Sequence, residues 1–251
     1  MLAHPDVKIV SIEETAELRI PHKNWIPSVV RAGYELTGGK VGEVTMFDLL
    51  KAALRQRPDF IVVGEIRGEE AYTLFQAMSS GHMGLSTLHA DSISDVIHRL
   101  ESPPINVSRV LIKQLNLILF QARVRVKGRS VRRVKEIREM VGLDPTTQAL
   151  ITNPVYVWDA GTDTFKFTGR SYFLEKISKE KAIPLEDIYK EINNRKRVIE
   201  WMVRNEIREY DRVVQVIREY YISKERVLAR VERDEAMREK VGRPLIRRKE
   251  H

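Results

Sequence analysis

In the first hundred residues, short apolar runs alternate with segments whose apolar residues recur at helical spacing, and few architectures accommodate that alternation. Val7–Ile12 (VKIVSI), Phe60–Gly64 (FIVVG) and Leu85–Leu88 read as strands. The helices between them carry their own start and stop signals. Thr45 precedes Met46 and Phe47, with Asp48 three residues on, a capping-box pattern that satisfies free backbone N–H groups of the first turn. That helix runs through Leu49, Leu50, Ala53 and Leu54 and ends before Pro58. A second covers about Glu69–Met78 and stops before Gly81. A third starts near Ser92, shows an apolar face of Ile93, Val96, Ile97 and Leu100, and is closed by Pro103 and Pro104. Strands joined by helical crossovers predict an α/β fold, a mostly parallel sheet with flanking helices.

Around residue 117 the period changes from helical to alternating. Gln121–Lys127 alternates arginine with valine, Gly128 turns, and Val131–Ile137 answers, which predicts a hairpin. Ala149–Trp158 and Thr164–Thr168 are further strands, set apart by turn residues at Asp144-Pro145 and Asp159-Ala160-Gly161. From Ser171 onward the chain reads as helices over Leu185–Val203, Asp211–Tyr221 and Ser223–Met237, and the basic tail Arg243–His251 reads as frayed. The aromatics Trp201, Tyr210, Tyr220 and Tyr221 stand at helical spacing, which favours a core role over a recognition surface. Three regions follow: 1–140, an α/β domain; 141–170, a β-meander extension; and 171–251, a C-terminal helical region.

Composition narrows the chemistry. There is no cysteine, which excludes disulfides, thiolate nucleophiles and cysteine-ligated zinc. No apolar run approaches a membrane span, and residues 1–10 carry His4, Asp6 and Lys8 where a signal peptide needs unbroken apolar sequence. The net charge is +8. Nucleic acid is nevertheless not the expected partner. The arginines of Arg123–Arg138 alternate with valine, as on a strand with one wet face.

Three of the early strands lead into titratable residues. The first is followed by Glu13 and Glu14, with Glu17 close behind; the second by Gly64-Glu65; the third by His89 and Asp91. Parallel sheets bind ligands outside the carboxyl ends of their strands, so these groups are expected to share one crevice. Glu65, delivered by the apolar run Phe60–Val63, has the pattern of a Walker B carboxylate, which orients water around Mg²⁺ or polarises the attacking water. The usual Asp before that Glu is Gly64 here.

These segments together resemble a family. Ile9–Leu18 (IVSIEETAEL) resembles the Asp box of the type II/type IV secretion ATPases, Gly64–Gly68 (GEIRG) their Walker B element, and Ser86–Asp91 (STLHAD) their His box, in the family's order and spacing. Gly42–Asp59, Pro103–Val107 and Gly142–Asn153 resemble the archaeal GspE-like branch, with the archaellum motor ATPase as a near relative. The resemblance implies an incomplete RecA-like P-loop NTPase core that hydrolyses ATP with Mg²⁺ to drive secretion or filament assembly. It implies a homo-hexamer, cytoplasmic and peripheral to the membrane, working on an inner-membrane platform protein. By the same resemblance Glu13 and Glu14 act on the attacking water and metal, Glu65 is the Walker B carboxylate, and His89 senses the γ-phosphate. Glu65 and Glu14 meet Mg²⁺ through water. Arg55 and Arg57 precede Walker B and are expected to stabilise phosphate charge, within one subunit or across a boundary. Glu17, Arg19 and Arg67 are further nucleotide-site candidates. For Arg55 and Arg57 a plain helix C-terminus that favours cations is the alternative.

The phosphate loop G-x-x-x-x-G-K-[ST] is absent from the sequence. Gly38-Gly39-Lys40 comes nearest, but Tyr34 stands where the first glycine belongs and Val41 follows the lysine, so it reads as a turn. By the resemblance, Met1-Leu2-Ala3 stands at the end of the helix after that loop, and the chain begins partway through the motor domain. A truncated form, a gene fragment, a late start and a short natural relative all fit. Weak ATP binding by the chain alone is expected, as are an unpaired sheet edge and self-association. A non-catalytic subunit docking on a complete secretion ATPase or its membrane platform is the competing expectation.

Overall fold

The computed structural model describes residues 3–36 and 39–240. It divides into two compact units: one of Val7–Arg19 and Asn24–Glu175, the other of the chain up to Asp6, Ile20–Lys23 and the chain from Lys176 onward.

The larger unit opens with β1 (Ile9–Glu13) and β2 (Trp25–Val29), then a small hairpin of β3 (Tyr34–Leu36) and β4 (Gly39–Val41). After α1 (Met46–Arg55) come β5 (Phe60–Val63), α2 (Glu70–Ser79), β6 (Met83–Ser86), α3 (Ile93–Glu101) and the short α4 (Arg109–Ile112). The parallel sheet has the order β2-β1-β5-β6. Its centre is sealed: Ile9, Val10, Ile12, Ile61 and Val63 are at most 1% exposed. Helices α1, α2 and α3 pack Leu50, Ala53, Leu74, Phe75, Val96 and Leu100 against it. Each fully buried aliphatic side chain of this kind is worth about 1.5–3 kcal/mol of transfer free energy.

Local chemistry explains the boundaries. Thr45 and Asp48 form the expected capping box at α1, and Ser92 caps α3 by accepting the N–H of Asp95 at 3.1 Å. β2 lay outside the sequence reading because Pro27 interrupts it. Proline has no N–H to donate, and β2 tolerates it because it is an edge strand. β1 extends one residue past the expected strand, so Glu13 belongs to the sheet. The third strand starts at Met83 and ends at Ser86, short of the expected Leu88. It forms the other edge, where Met83 and Leu85 are about half exposed. Gly38 and the tail Arg243–His251 lie outside the described residues.

The same unit continues as an antiparallel meander: β7 (Leu117–Val126), β8 (Arg129–Leu143), β9 (Leu150–Asp159) and β10 (Thr164–Phe167), in the order β10-β9-β8-β7. Lys127 and Gly128 both take positive φ, 48° and 78°, the two-residue turn that matches strand twist. The expected boundary at 140/141 falls inside β8. Helix α5 (Tyr172–Lys181) then begins on a buried carboxylate. Glu139, 1% exposed, accepts from the Ser171 hydroxyl at 2.5 Å, the Tyr172 N–H at 2.8 Å, the Phe173 N–H at 3.1 Å and the Asn153 amide at 2.9 Å. A negative charge at a helix N-terminus also meets the favourable end of its dipole.

The smaller unit holds α6 (Leu185–Arg204), α7 (Tyr210–Ile222) and α8 (Lys224–Lys240). Val198, Trp201, Met202, Val216, Tyr220 and Val227 form its core. Trp201 and Tyr220 are therefore core residues, while Tyr210 is about half exposed. Glu235 ties Arg197 on α6, at 2.7 Å, and Arg204, at 3.1 Å, to α8. No helix among the described residues is long and apolar enough to cross a membrane.

Burial pushes the Glu139 carboxyl up, but the hydrogen bonds from Ser171, Asn153, Phe173 and Tyr172 outweigh it and hold the pKa below the usual 4.5. The unfolded chain then binds the proton more readily. The stabilisation is complete above about pH 4.5 and is lost as the pH falls through the lower native value. Glu139→Ala leaves several donors unmet and is expected to cost about 2–3 kcal/mol in urea unfolding at neutral pH. Glu139→Gln should flatten the acid limb of the stability–pH curve.

Candidate functional site

Parallel pairing places the carboxyl ends of β1, β5 and β6 along one edge of the sheet. Ile12 is aligned with Val63, and Val63 with Ser86. The backbone continues the alignment past the strands: the Gly64 N–H donates to the Ile12 carbonyl at 2.8 Å, and the Ile66 N–H to the Thr87 carbonyl at 3.1 Å. The Thr87 hydroxyl donates to the Gly64 carbonyl at 2.7 Å. Glu65 and His89 thereby stand within 3.4 Å of each other, and Glu13 stands beside Gly64 at the same strand ends.

The carboxylates are held differently. Glu13 is 5% exposed, and its Oε1 accepts the N–H groups of Glu17 and Leu18 at 3.1 and 3.0 Å. It thus shapes the loop after β1. A Cβ on Gly64 would stand 3.5 Å from Glu13 Cγ. An Asp at that position would therefore set a second carboxylate against Glu13, a direct like-charge cost that glycine avoids.

Glu65 is the centre of the cluster. Its Oε2 accepts from the Arg67 guanidinium at 2.5 Å, and its Oε1 lies 3.4 Å from His89 Nε2. Arg67 also reaches Glu14 at 3.3 Å. The hydrogen bond from Arg67 holds the Glu65 carboxyl below its usual pKa, against the opposing effect of burial, with the charges of Arg67 and His89 adding to it. Glu65 stands ionised at neutral pH, with both oxygens facing groups that hydrogen-bond.

Sequence reasoning missed Glu70. It is 7% exposed, and its Oε1 accepts the N–H groups of Arg67 at 2.6 Å and Gly68 at 2.8 Å. A Cβ on Gly68 would stand 3.0 Å from Glu70 Oε2, so a larger residue there would crowd the Glu70 carboxylate. Glu70 therefore fixes the backbone from which Arg67 reaches Glu65. An acidic residue in the first turn of a helix was the available signal.

The other candidates lie apart from the cluster. Arg55 closes α1 and Arg57 follows it, with φ +50°. The Lys8 ammonium donates to the Gln56 carbonyl at 2.7 Å, and the Lys8 N–H to Asp59 at 2.7 Å. That ties the end of α1 to the amino end of β1, opposite the carboxylates. Within one chain Arg55 and Arg57 do not join Glu65, and their placement matches cations at a helix C-terminus. Glu17 joins through its backbone, and Arg19 is exposed in the same loop.

No three histidine, aspartate or glutamate side chains among the described residues are placed to hold a metal ion. Glu65 and Glu14 share one arginine, Arg67. Replacing Arg67 with Ala is expected to raise the Glu65 pKa toward 4.5, with Arg67→Lys in between, as read by carboxyl-carbon NMR titration.

The family described as type II/IV secretion system protein matches residues 1–153, more than half of the 251-residue chain. A PilB3-like C-terminal family matches residues 161–242. The uncharacterized protein MJ1287 of Methanocaldococcus jannaschii is 49% identical over 191 residues, covering 76% of this chain and 70% of that protein. MJ0900 of the same organism is 42% identical over 221 residues, covering 86% of this chain and 39% of that protein. Protein VirB11 of Agrobacterium fabrum is 44% identical over 86 residues, 34% of this chain and 24% of VirB11. Among solved structures, the VirB11 ATPase of the Brucella suis type IV secretion system, in complex with sulphate, is 25% identical with a TM-score of 0.42, covering 53% of this chain and 40% of that one. The match over the three strand-end motifs and the helices between them decides the assignment: the chain belongs to the type II/IV secretion system protein family.

Proposed function

We propose that this chain carries the carboxylate side of an ATP-hydrolysis site in a motor for protein secretion or filament assembly. The observation behind this reading is the Glu65 cluster: a buried strand delivers one ionised carboxylate to the sheet's carboxyl end, where Arg67 and His89 meet it and Arg67 also reaches Glu14. Glu65 polarises the attacking water, Glu13 and Glu14 orient it, and His89 reads the γ-phosphate. Glu65 and Glu14 would order the waters of a Mg²⁺ ion bound with the nucleotide, which would supply neutralisation of phosphate charge. Arg67 is the local cation that a phosphate would compete for. Arg55 and Arg57, at the opposite sheet edge, act on the nucleotide of a neighbouring subunit in a homo-hexamer. The assembly works on the cytoplasmic face of the membrane, against a platform protein.

The 251 residues contain no phosphate-gripping loop, so nucleotide meets several carboxylates with few fixed donors to offset them. Binding by these residues alone is weak. The same feature favours a second reading, a non-catalytic subunit that docks on a complete secretion ATPase or its membrane platform through the helical region.

A titration of a fluorescent ATP analogue with Mg²⁺ distinguishes the two, run on this chain and on the chain joined to a phosphate-loop segment. Binding and turnover only in the joined form support the motor reading, and Glu65→Gln there should abolish turnover while leaving binding largely intact. Failure of the joined, folded form to hydrolyse ATP favours the docking subunit.

A further inference from the structure

The antiparallel sheet offers the core only one of its faces. Ile118 and Phe120 of β7 pack into the main core. Their neighbours Leu117 and Leu119 point the other way and are 49% and 50% exposed. Directly opposed residues of antiparallel strands share a face. The register therefore sets Leu119, Ile137, Tyr156 and Phe167 in one row across all four strands, with Trp158 opposite Phe165 beyond it. The Tyr156 and Phe167 rings pack 5.2 Å apart, and Phe165 is 53% exposed. An antiparallel sheet that turns one face to water normally makes that face polar. Over these rows it is aliphatic and aromatic.

Farther along the same face of β7 come Gln121, Arg123 and Arg125, and Arg123 lies directly opposite Arg132. Like charges opposed across strands repel. Arg123 donates to the Ser130 hydroxyl at 2.6 Å, but no carboxylate pairs with Arg123, Arg125 or Arg132 among the described residues. The adjacent Arg133, by contrast, is paired with Asp163 through two hydrogen bonds of 2.8 Å. At the opposite end the chain closes the face itself, where Ser171, Tyr172 and Phe173 meet Glu139.

We propose that this face docks a protein partner presenting an acidic amphipathic helix, its apolar side over Leu119, Phe165 and Phe167 and its carboxylates over Arg123, Arg125 and Arg132. Aromatic residues and arginine are the side chains that carry binding energy in protein interfaces. A helix is the layer that ordinarily covers an apolar sheet face, and the arginines that meet no carboxylate among the described residues set the partner's charge and direction. Other anionic partners fit less well. The turn Lys127-Gly128-Arg129 has no apolar residue to enter a lipid surface, and the Trp158 N–H is held by Asp163 at 2.9 Å. The arginines also lie at one end of the aromatic rows, whereas a single-stranded nucleic-acid groove tracks the backbone with charge along its length.

The test titrates a fluorescein-labelled amphipathic helical peptide of leucine and glutamate, and its lysine counterpart, into the full chain at low and moderate salt. The glutamate peptide should bind, weaken with salt, and lose about tenfold or more in affinity on combined Arg123→Glu, Arg125→Glu and Arg132→Glu. It should lose affinity similarly on Phe165→Ser with Phe167→Ser. The charge-reversed chain should take up the lysine peptide instead, a rescue that a merely unfolded variant could not show. Circular dichroism and melting should be unchanged by the reversals. Equal binding to parent and charge-reversed chains overturns the proposal. So does preference for oligo-dT or phosphatidylglycerol vesicles over the peptide, or a self-dimer that excludes it.

Discussion

The pairing of β1 with β5 is the constraint on which the site depends. Val10 and Ile12 on one strand and Ile61 and Val63 on the other are sealed from water, so neither strand can slip without exposing its apolar side chains. That register fixes where each strand ends. Glu13 and Gly64 meet because their strands end side by side, and Glu65 comes one residue later. The strand ends that carry the site are thus positioned by the hydrophobic core.

Three glutamates at the ends of neighbouring strands carry an electrostatic cost, and the chain offsets it locally. Arg67 spans Glu65 and Glu14, Glu13 is held by backbone N–H groups, and Glu70 holds the turn from which Arg67 reaches out. Two of these four carboxylates, Glu13 and Glu70, serve the backbone; the other two, Glu14 and Glu65, share one cation, Arg67. That cation is 60% exposed, and it holds Glu65 by a side-chain contact rather than a backbone one. The same economy recurs at Glu139, where a buried carboxylate is stabilised by donors of a helix that starts on it.

Much of this organisation was legible in the sequence. The capping signals at Thr45 and Ser92, the apolar run before Glu65 and the turn at Gly128 are local, and local chemistry decides them in the same way before and after folding. β2 was not legible, because Pro27 argues against a strand until its edge position is known. Glu70 and Glu139 were not legible either. Each looks like an ordinary surface acid in sequence, and each is buried because of what it meets three-dimensionally.

The sequence by itself determined the alternation of strands and helices, the strand-end acids with His89, and the absence of a phosphate loop, since these follow from periodicity and residue type. Only the tertiary structure decided which of these groups meet. It joined Arg67 to Glu65 and Glu14, set Arg55 and Arg57 at the opposite edge of the sheet, and gathered the aromatics of β9 and β10 with the leucines of β7 and Ile137 of β8 on one open face. The reason is physical: periodicity tells which face a residue occupies on its own element, while the register between elements, fixed by packing, tells what stands across from it.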